Sequence, residues 1–264
     1  MTLPLLSLAS GCCPSFAHTS RCGSSGSELA RRRHLGRSGK LDRSHRPEVR
    51  SRIADGGVSV LDVEVDWLKT GTYDPDHFRI IDARAAIGAR NVLVVSSDPD
   101  PGATAAKLAR LSNHAAPCGL QVSLEFAAFT EVRILAAALV ILDSPSCETV
   151  GLLIDPLHLA RTGGLPGDPR TVAASRFHCA QFCDAAANGP SAQDVPSIIE
   201  EALDHRLLVC AGDLPMAVLY DALPANLPLS IELRSNALRE GYPDPAERAR
   251  ALLQSTRAGL ATLR

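Results

Sequence analysis

From Gly57 onward, short runs rich in branched apolar residues alternate with longer stretches of helical texture. No other feature constrains the fold as much. The strand-like runs are 58–65 (VSVLDVEV), 91–96 (NVLVVS), 121–126 (QVSLEF), 150–155 (VGLLID), 177–182 (FHCAQF) and 229–233 (LSIEL). Helix-like stretches lie near 75–88, 101–117, 130–143, 194–204, 214–223 and 244–262, several opening with Asp, Thr, Ser or Pro as helix starts do. Strand and helix in alternation is the signature of parallel βαβ units. With 3–9 (LPLLSLA) as a first strand, seven strands are predicted. A (β/α)8 TIM barrel takes eight strands and about 250 residues, and this chain has 264. An open doubly wound sheet is the rival, but it advertises a glycine-rich phosphate loop, and neither GxGxxG nor a P-loop occurs. Gly163-Gly164 reads as loop punctuation. The expected fold is therefore an α/β barrel whose N-terminal part is irregular and whose second strand is missing from the pattern.

The charge distribution divides the chain at the same place. Residues 1–20 carry no Asp, Glu, Lys or Arg, whereas 21–52 hold ten Lys/Arg against Glu28, Asp42 and Glu48, a balance of +7. The whole chain has 27 bases and 29 acids, so 53–264 hold 17 against 26, a balance of −9. Residues 1–52 are accordingly read as an atypical basic, weakly ordered region containing the first strand, and 53–264 as the barrel body. An Arg/Ser-rich transit peptide is a weaker reading of 1–52, and a secretory signal fits poorly because no basic residue precedes its apolar run. No apolar run approaches the roughly 18 residues of a membrane span. The acidic body and 4% aromatic content disfavour nucleic acid as a partner. Eight cysteines without a CxxC are too sparse for a disulfide framework, which points to a reducing, cytoplasmic address.

Within the later strands, period-2 alternation separates two faces. Val122, Leu124 and Phe126 oppose Gln121, Ser123 and Glu125; Leu152 and Ile154 oppose Gly151, Leu153 and Asp155; Leu229, Ile231 and Leu233 oppose Ser230 and Glu232. Gln181 shares a face with Phe177 and Cys179, and His178 falls on the opposite face, against a helix. If the apolar set faces the helices, Glu125, Asp155, Gln181 and Glu232 converge on the C-terminal mouth, where barrel enzymes build their sites. Close carboxylate pairs there repel by about 4 kcal/mol each at an effective dielectric of 20. Their pKa values must then rise or a cation must sit among them. Oxygen donors of this kind suit Mn²⁺ or Mg²⁺, with Co²⁺ or Zn²⁺ as alternatives. The duller reading makes one or two of these acids helix caps or structural ion pairs. Glu64 lies near the end of its strand, where it either reaches the pocket or is a solvated acid, and Arg234 either meets an anionic substrate group or neutralises nearby acids. Asp213, before Leu214-Pro215, reads as a helix cap, and Cys179 and Cys183 lack the partners of a zinc site.

The segments Ser123-Leu124-Glu125-Phe126, Leu153-Ile154-Asp155-Pro156-Leu157-His158, Ala180-Gln181-Phe182-Cys183-Asp184 and Ser230-Ile231-Glu232-Leu233 resemble the metal-binding strands of the sugar phosphate isomerase/epimerase superfamily with the xylose-isomerase-like TIM barrel. The resemblance covers roughly 57–262 and implies one divalent metal held by Glu125, Asp155, Gln181 and Glu232. It further implies Glu125 and Glu232 as the acid–base pair, with His158 as a catalytic or substrate-contacting residue. The implied activity is metal-dependent isomerisation or epimerisation of a small sugar, sugar phosphate or related hydroxyketone, in a chain that can form homo-oligomers. Gln181 stands where epimerases of this superfamily commonly carry His and where its dehydratases can carry Gln. A dehydratase of a cyclic polyol ketone such as 3-dehydroshikimate or an inosose is therefore the alternative, with His158 as base. The unmatched stretch from Gly11 to about Arg52 keeps a third alternative open, a catalytically inactive barrel acting as a binding subunit.

Overall fold

The computed structural model describes residues 6–7, 46–71 and 76–263. Its elements, in chain order, are β1 (Leu6–Ser7), α1 (Arg46–Asp55), β2 (Asp62–Lys69), α2 (Asp76–Ala86), β3 (Asn91–Ser97), α3 (Pro101–Ala115), β4 (Gln121–Glu125) and α4 (Leu135–Leu142). They continue with β5 (Gly151–Leu153), α5 (Pro156–Arg161), β6 (Ala180–Phe182), α6 (Val195–Asp204), α7 (Met216–Ala222), β7 (Leu229–Ile231), α8 (Asn236–Gly241) and α9 (Pro245–Thr262). All strand pairs are parallel, in the orders β2-β3-β4-β5 and β6-β7-β1, and a parallel bridge between Leu152 and Phe177 links the two arcs. Seven strands of a TIM barrel are thus in place. The eighth strand, expected within 11–52, would lie almost wholly outside the described residues.

The joints between strands and helices follow simple rules. Asp100 accepts from Gly102 N, Asp194 from Ser197 N and Asp244 from Ala246 N and Glu247 N, and Pro follows within two residues in each case. Side-chain caps of this kind satisfy orphan helix donors and are worth about 1 kcal/mol each. The outer faces of the strands then build the core. Val92, Val94, Val122, Leu124, Leu152 and Ile154 pack with Leu108 and Leu111 of α3 and with Ala138 and Ile141 of α4. Each fully buried Leu, Val or Ile there contributes about 1.5–3 kcal/mol. Inside the barrel, a small apolar plug of Leu61, Leu93, Leu153 and Cys179 fills one layer. The layer above it is polar, and the stability of the fold rests on the outer shell.

Four sequence expectations need correction. The strand predicted at 58–65 is β2, displaced four residues toward the C-terminus, with an irregularity in its pairing with β3 between Val63 and Asp66. The predicted start fails because Val58 is 63% exposed: these branched residues lead into the sheet without joining it. Residues 46–52, expected to be irregular, open helix α1, which runs across the expected boundary at 52/53 and buries none of its side chains. His178 does not pack on a helix. Regular strand begins only at Ala180, so alternation does not extend back to 178, and the His178 ring lies 3.1 Å from Ser123 Oγ. Gly151 makes room for it, since a Cβ there would sit 2.5 Å from His178 Nδ1. Asp213 caps no helix; its Oδ2 accepts from Ala187 N (3.2 Å), and α7 begins at Met216 without a side-chain cap. No helix among the described residues is long and apolar enough to cross a membrane.

Candidate metal centre

Glu125 ends β4, Asp155 follows β5 by two residues, Gln181 sits in β6 and Glu232 follows β7 directly. The parallel register aligns these positions: Glu125 is opposite Leu153, and Gln181 is opposite Ser230. Their side chains meet at one end of the barrel and are buried. Glu125, Asp155 and His158 each offer a ligand atom within 4.8 Å of the others, and His158 Nε2 is 3.9 Å from Glu125 Oε1. Asp155 Oδ1 accepts from His158 N (2.9 Å), so the same carboxylate caps α5 and holds His158 beside Glu125. Glu64 joins from β2, where Gln181 Nε2 donates to its Oε1 over 2.7 Å. Arg234 spans the rim, 3.7 Å from Glu64 Oε2 and 3.7 Å from Glu232 Oε1. The structure thus brings Glu125, Asp155 and His158 within 4.8 Å of one another, and links Glu64, Gln181 and Glu232 beside them through Arg234 and the Gln181–Glu64 hydrogen bond.

One central residue went unforeseen. Arg206 is the largest fully buried side chain among the described residues. Its Nη1 donates to Asp155 Oδ2 (2.5 Å) and to Cys183 Sγ (3.0 Å), its Nη2 is 3.0 Å from Glu232 Oε2, and its Nε donates to Ala202 O (2.9 Å). The segment carrying it is held by bridges from Leu207 to Asp184 and from His205 to Ser235. Asp184 secures the far side of this loop, its carboxylate accepting from Gly212 N (2.9 Å) and Leu214 N (3.1 Å) as well as from Ala185 N. One local sign of this exists: Arg206 precedes the apolar run Leu207-Leu208-Val209. An aromatic wall was also missed. Phe129 stands edge-on to His158 (5.2 Å between centroids), and Trp67 lies 6.0 Å from Phe129 while donating to Ser97 Oγ.

The electrostatics separate the carboxylates. Burial works to raise the Asp155 pKa, but the Arg206 guanidinium and the His158 ring and N–H outweigh it and hold it at about 2. Burial, reinforced by Glu232 and Asp155, pushes Glu125 well up. Burial also pushes Glu232 up despite Arg206 beside it. Glu64 is raised to about 7, by burial first and by Asp62, against the pull of Arg234 and Arg206. Burial depresses His158 to about 4, which keeps the imidazole neutral at physiological pH. Burial likewise pushes the Cys179 and Cys183 thiols up, so neither is a nucleophile or a ready metal ligand.

The donor set fits a cation. Glu125 Oε1, Gln181 Oε1 and His158 Nδ1 are buried and find no hydrogen-bond partner among the described residues. Orphaned buried acceptors are costly unless something else meets them. Among the described residues, Glu64, Glu125, Asp155 and Glu232 outnumber Arg206 and Arg234 here, so a positive charge is a fitting complement.

No family profile and no curated protein matches the sequence. Among solved structures, the chain superimposes on the IolI protein with a bound zinc atom (TM-score 0.66, 16% identity, 84% of this chain and 82% of that one). It also superimposes on L-ribulose 3-epimerase (0.61, 19%, 89% and 88%). A third neighbour is the probable 3-DHS dehydratase AsbF from Bacillus anthracis (0.60, 11%, 80% and 81%). The chain spans only 32% of a further neighbour, a xylose isomerase-like TIM barrel/4-hydroxyphenylpyruvate dioxygenase fusion protein. The fold is that of the xylose isomerase-like TIM barrels.

Proposed function

We propose that this chain is a divalent-metal-dependent isomerase or epimerase of a small polyol ketone, working by proton abstraction beside a carbonyl. The observation that carries the reading is the convergence of Glu125, Asp155 and His158 within 4.8 Å, with Glu125 Oε1 and Gln181 Oε1 left as buried acceptors without donors among the described residues. Glu125, Asp155, Gln181 and Glu232 would hold the cation, with Mn²⁺ or Mg²⁺ preferred by an oxygen set and Zn²⁺ or Co²⁺ admitted if His158 takes part. When bound, it would acidify the C–H beside the substrate carbonyl by Lewis acidity.

The remaining work falls to the protein. Of Glu125 and Glu232, one removes the proton and the other returns it, and general acid–base catalysis of this kind is worth about 10²–10⁴-fold. Arg206 fixes Asp155 and Glu232 in place and keeps Asp155 ionised. Neutral His158 is able to accept a hydrogen bond from, or donate one to, a substrate hydroxyl. Trp67 and Phe129 offer apolar surface to the C–H face of a sugar and help exclude water. The placement of the His158 ring 3.9 Å from Glu125 also favours a second reading, a dehydratase in which His158 is the base.

The test is incubation with ketopentoses, ketohexoses, their phosphates and inososes in D₂O, with Mn²⁺, Mg²⁺, Co²⁺ or Zn²⁺. Deuterium entering the carbon beside the carbonyl, and lost in Glu232→Gln, supports epimerisation. An enone absorbance lost in His158→Ala supports dehydration instead. Failure to bind any of these cations, or a bound cation without turnover of any substrate, overturns the enzymatic reading.

A further inference from the structure

We infer that Glu64 is a positioning residue that orients the Gln181 carboxamide, so that Gln181 turns its oxygen, and not its amino group, toward the cation of the Glu125–Asp155 centre. The inference rests on the metal-binding reading above and assigns Glu64 a role outside the ligand set.

A glutamine is an ambiguous ligand. Its two amide ends are nearly the same size, and only one suits a cation: Oε1 is an acceptor, whereas the Nε2 group offers two donors. A histidine or a carboxylate at the same place would carry no such ambiguity. The orientation of Gln181 must therefore be set by whatever meets the other end of the amide. In this structure that partner is Glu64, whose Oε1 receives Nε2 at 2.7 Å. Because Glu64 Oε1 is the acceptor of this bond, it selects the amino end and turns the Gln181 Oε1 away from itself. Oε1 is then left buried with no donor among the described residues, as is Oε1 of Glu125. Glu64 is itself held from the outside by Arg234, at 3.7 Å from Oε2, and its side chain is only 16% exposed. Partners beyond the ligands commonly orient them, and losing one costs about 10–100-fold in metal affinity.

The experiment is a double-mutant cycle read by Mn²⁺ binding, using isothermal titration and the Mn²⁺ EPR signal on the full chain without substrate. Glu64→Gln allows either amide orientation at 181, and Glu64→Leu removes the selecting acceptor. Each should weaken Mn²⁺ binding about 10–100-fold with an unchanged near-ultraviolet circular dichroism spectrum. The decisive background is Gln181→Glu, which presents an oxygen whichever way it turns. There the two carboxylates at 64 and 181 repel, so Glu64→Gln should no longer weaken Mn²⁺ binding and should tighten it. A merely structural Glu64 would cost the same affinity in both backgrounds, and that additivity would overturn the inference, as would full Mn²⁺ affinity in both single Glu64 variants. A wild-type chain that binds no Mn²⁺, Mg²⁺, Co²⁺ or Zn²⁺ would instead bring down the metal reading and this inference together.

Discussion

Arg206→Met is the most revealing perturbation of this site. The guanidinium is about 1% exposed at its side chain and contacts Asp155 at 2.5 Å and Glu232 at 3.0 Å. Methionine replaces much of its volume but none of its charge, so two buried carboxylates lose their shared counter-ion. Breaking a buried pair from one side costs about 3–5 kcal/mol. For a chain of this size each kcal/mol moves the midpoint by about 2–4 °C. In EDTA at pH 8 the variant should therefore melt at least about 6 °C below wild type. The loss should shrink as the pH falls toward 5. Without Arg206 the folded-state pKa values of Asp155 and Glu232 rise, so the folded variant binds more protons than the unfolded chain, and its stability declines as pH increases. Saturating Mn²⁺ should also recover part of the loss, because a cation among the same carboxylates supplies the missing positive charge and ligand binding stabilises the state it prefers. The assay is a thermal melt across pH 5–8 with EDTA or Mn²⁺. A variant within about 2 °C of wild type in EDTA at pH 8, or an equal deficit with and without Mn²⁺, would refute the reasoning.

Glu125→Gln should flatten the pH dependence of the EDTA-treated protein. A carboxyl whose folded pKa is raised stabilises fully below its unfolded pKa and loses that contribution as pH rises through the folded value; melts from pH 5 to 9 that decline as steeply as wild type would count against this. The same variant should lose Mn²⁺ affinity by at least about 10-fold, measured by titration. Asp184→Ala strands the N–H groups of Ala185, Gly212 and Leu214 and should cost at least about 3 kcal/mol. Amide exchange should quicken across 205–214, and unchanged protection there would show that the carboxylate does not hold the loop. Gly151→Ala forces a methyl to within 2.5 Å of His178 Nδ1 and should destabilise by about 1–3 kcal/mol in urea unfolding, with relief when combined with His178→Ala.

The barrel and the polar positions at its strand ends were legible without coordinates, because both follow from short-range periodicity. A period of two decides which residues of a strand share a face, and parallel strands carry their C-terminal ends to the same side. Glu125, Asp155, Gln181 and Glu232 could be read from that rule alone, and Asp-Pro and Ser signals marked where helices begin. The rule failed where backbone regularity stopped: His178 precedes the ordered part of β6, and the apolar residues from Val58 lead into β2 without belonging to it.

Which charges meet was set by long-range packing. Arg206 lies 51 residues from Asp155 in sequence and is delivered to it by bridges from Leu207 to Asp184 and from His205 to Ser235. Glu64 and Gln181 are separated by 117 residues, yet one hydrogen bond between them fixes which end of the amide faces inward. Such pairings carry no local periodicity. They arise when parallel strands bring distant strand ends within a few ångströms and burial makes every unpaired charge costly.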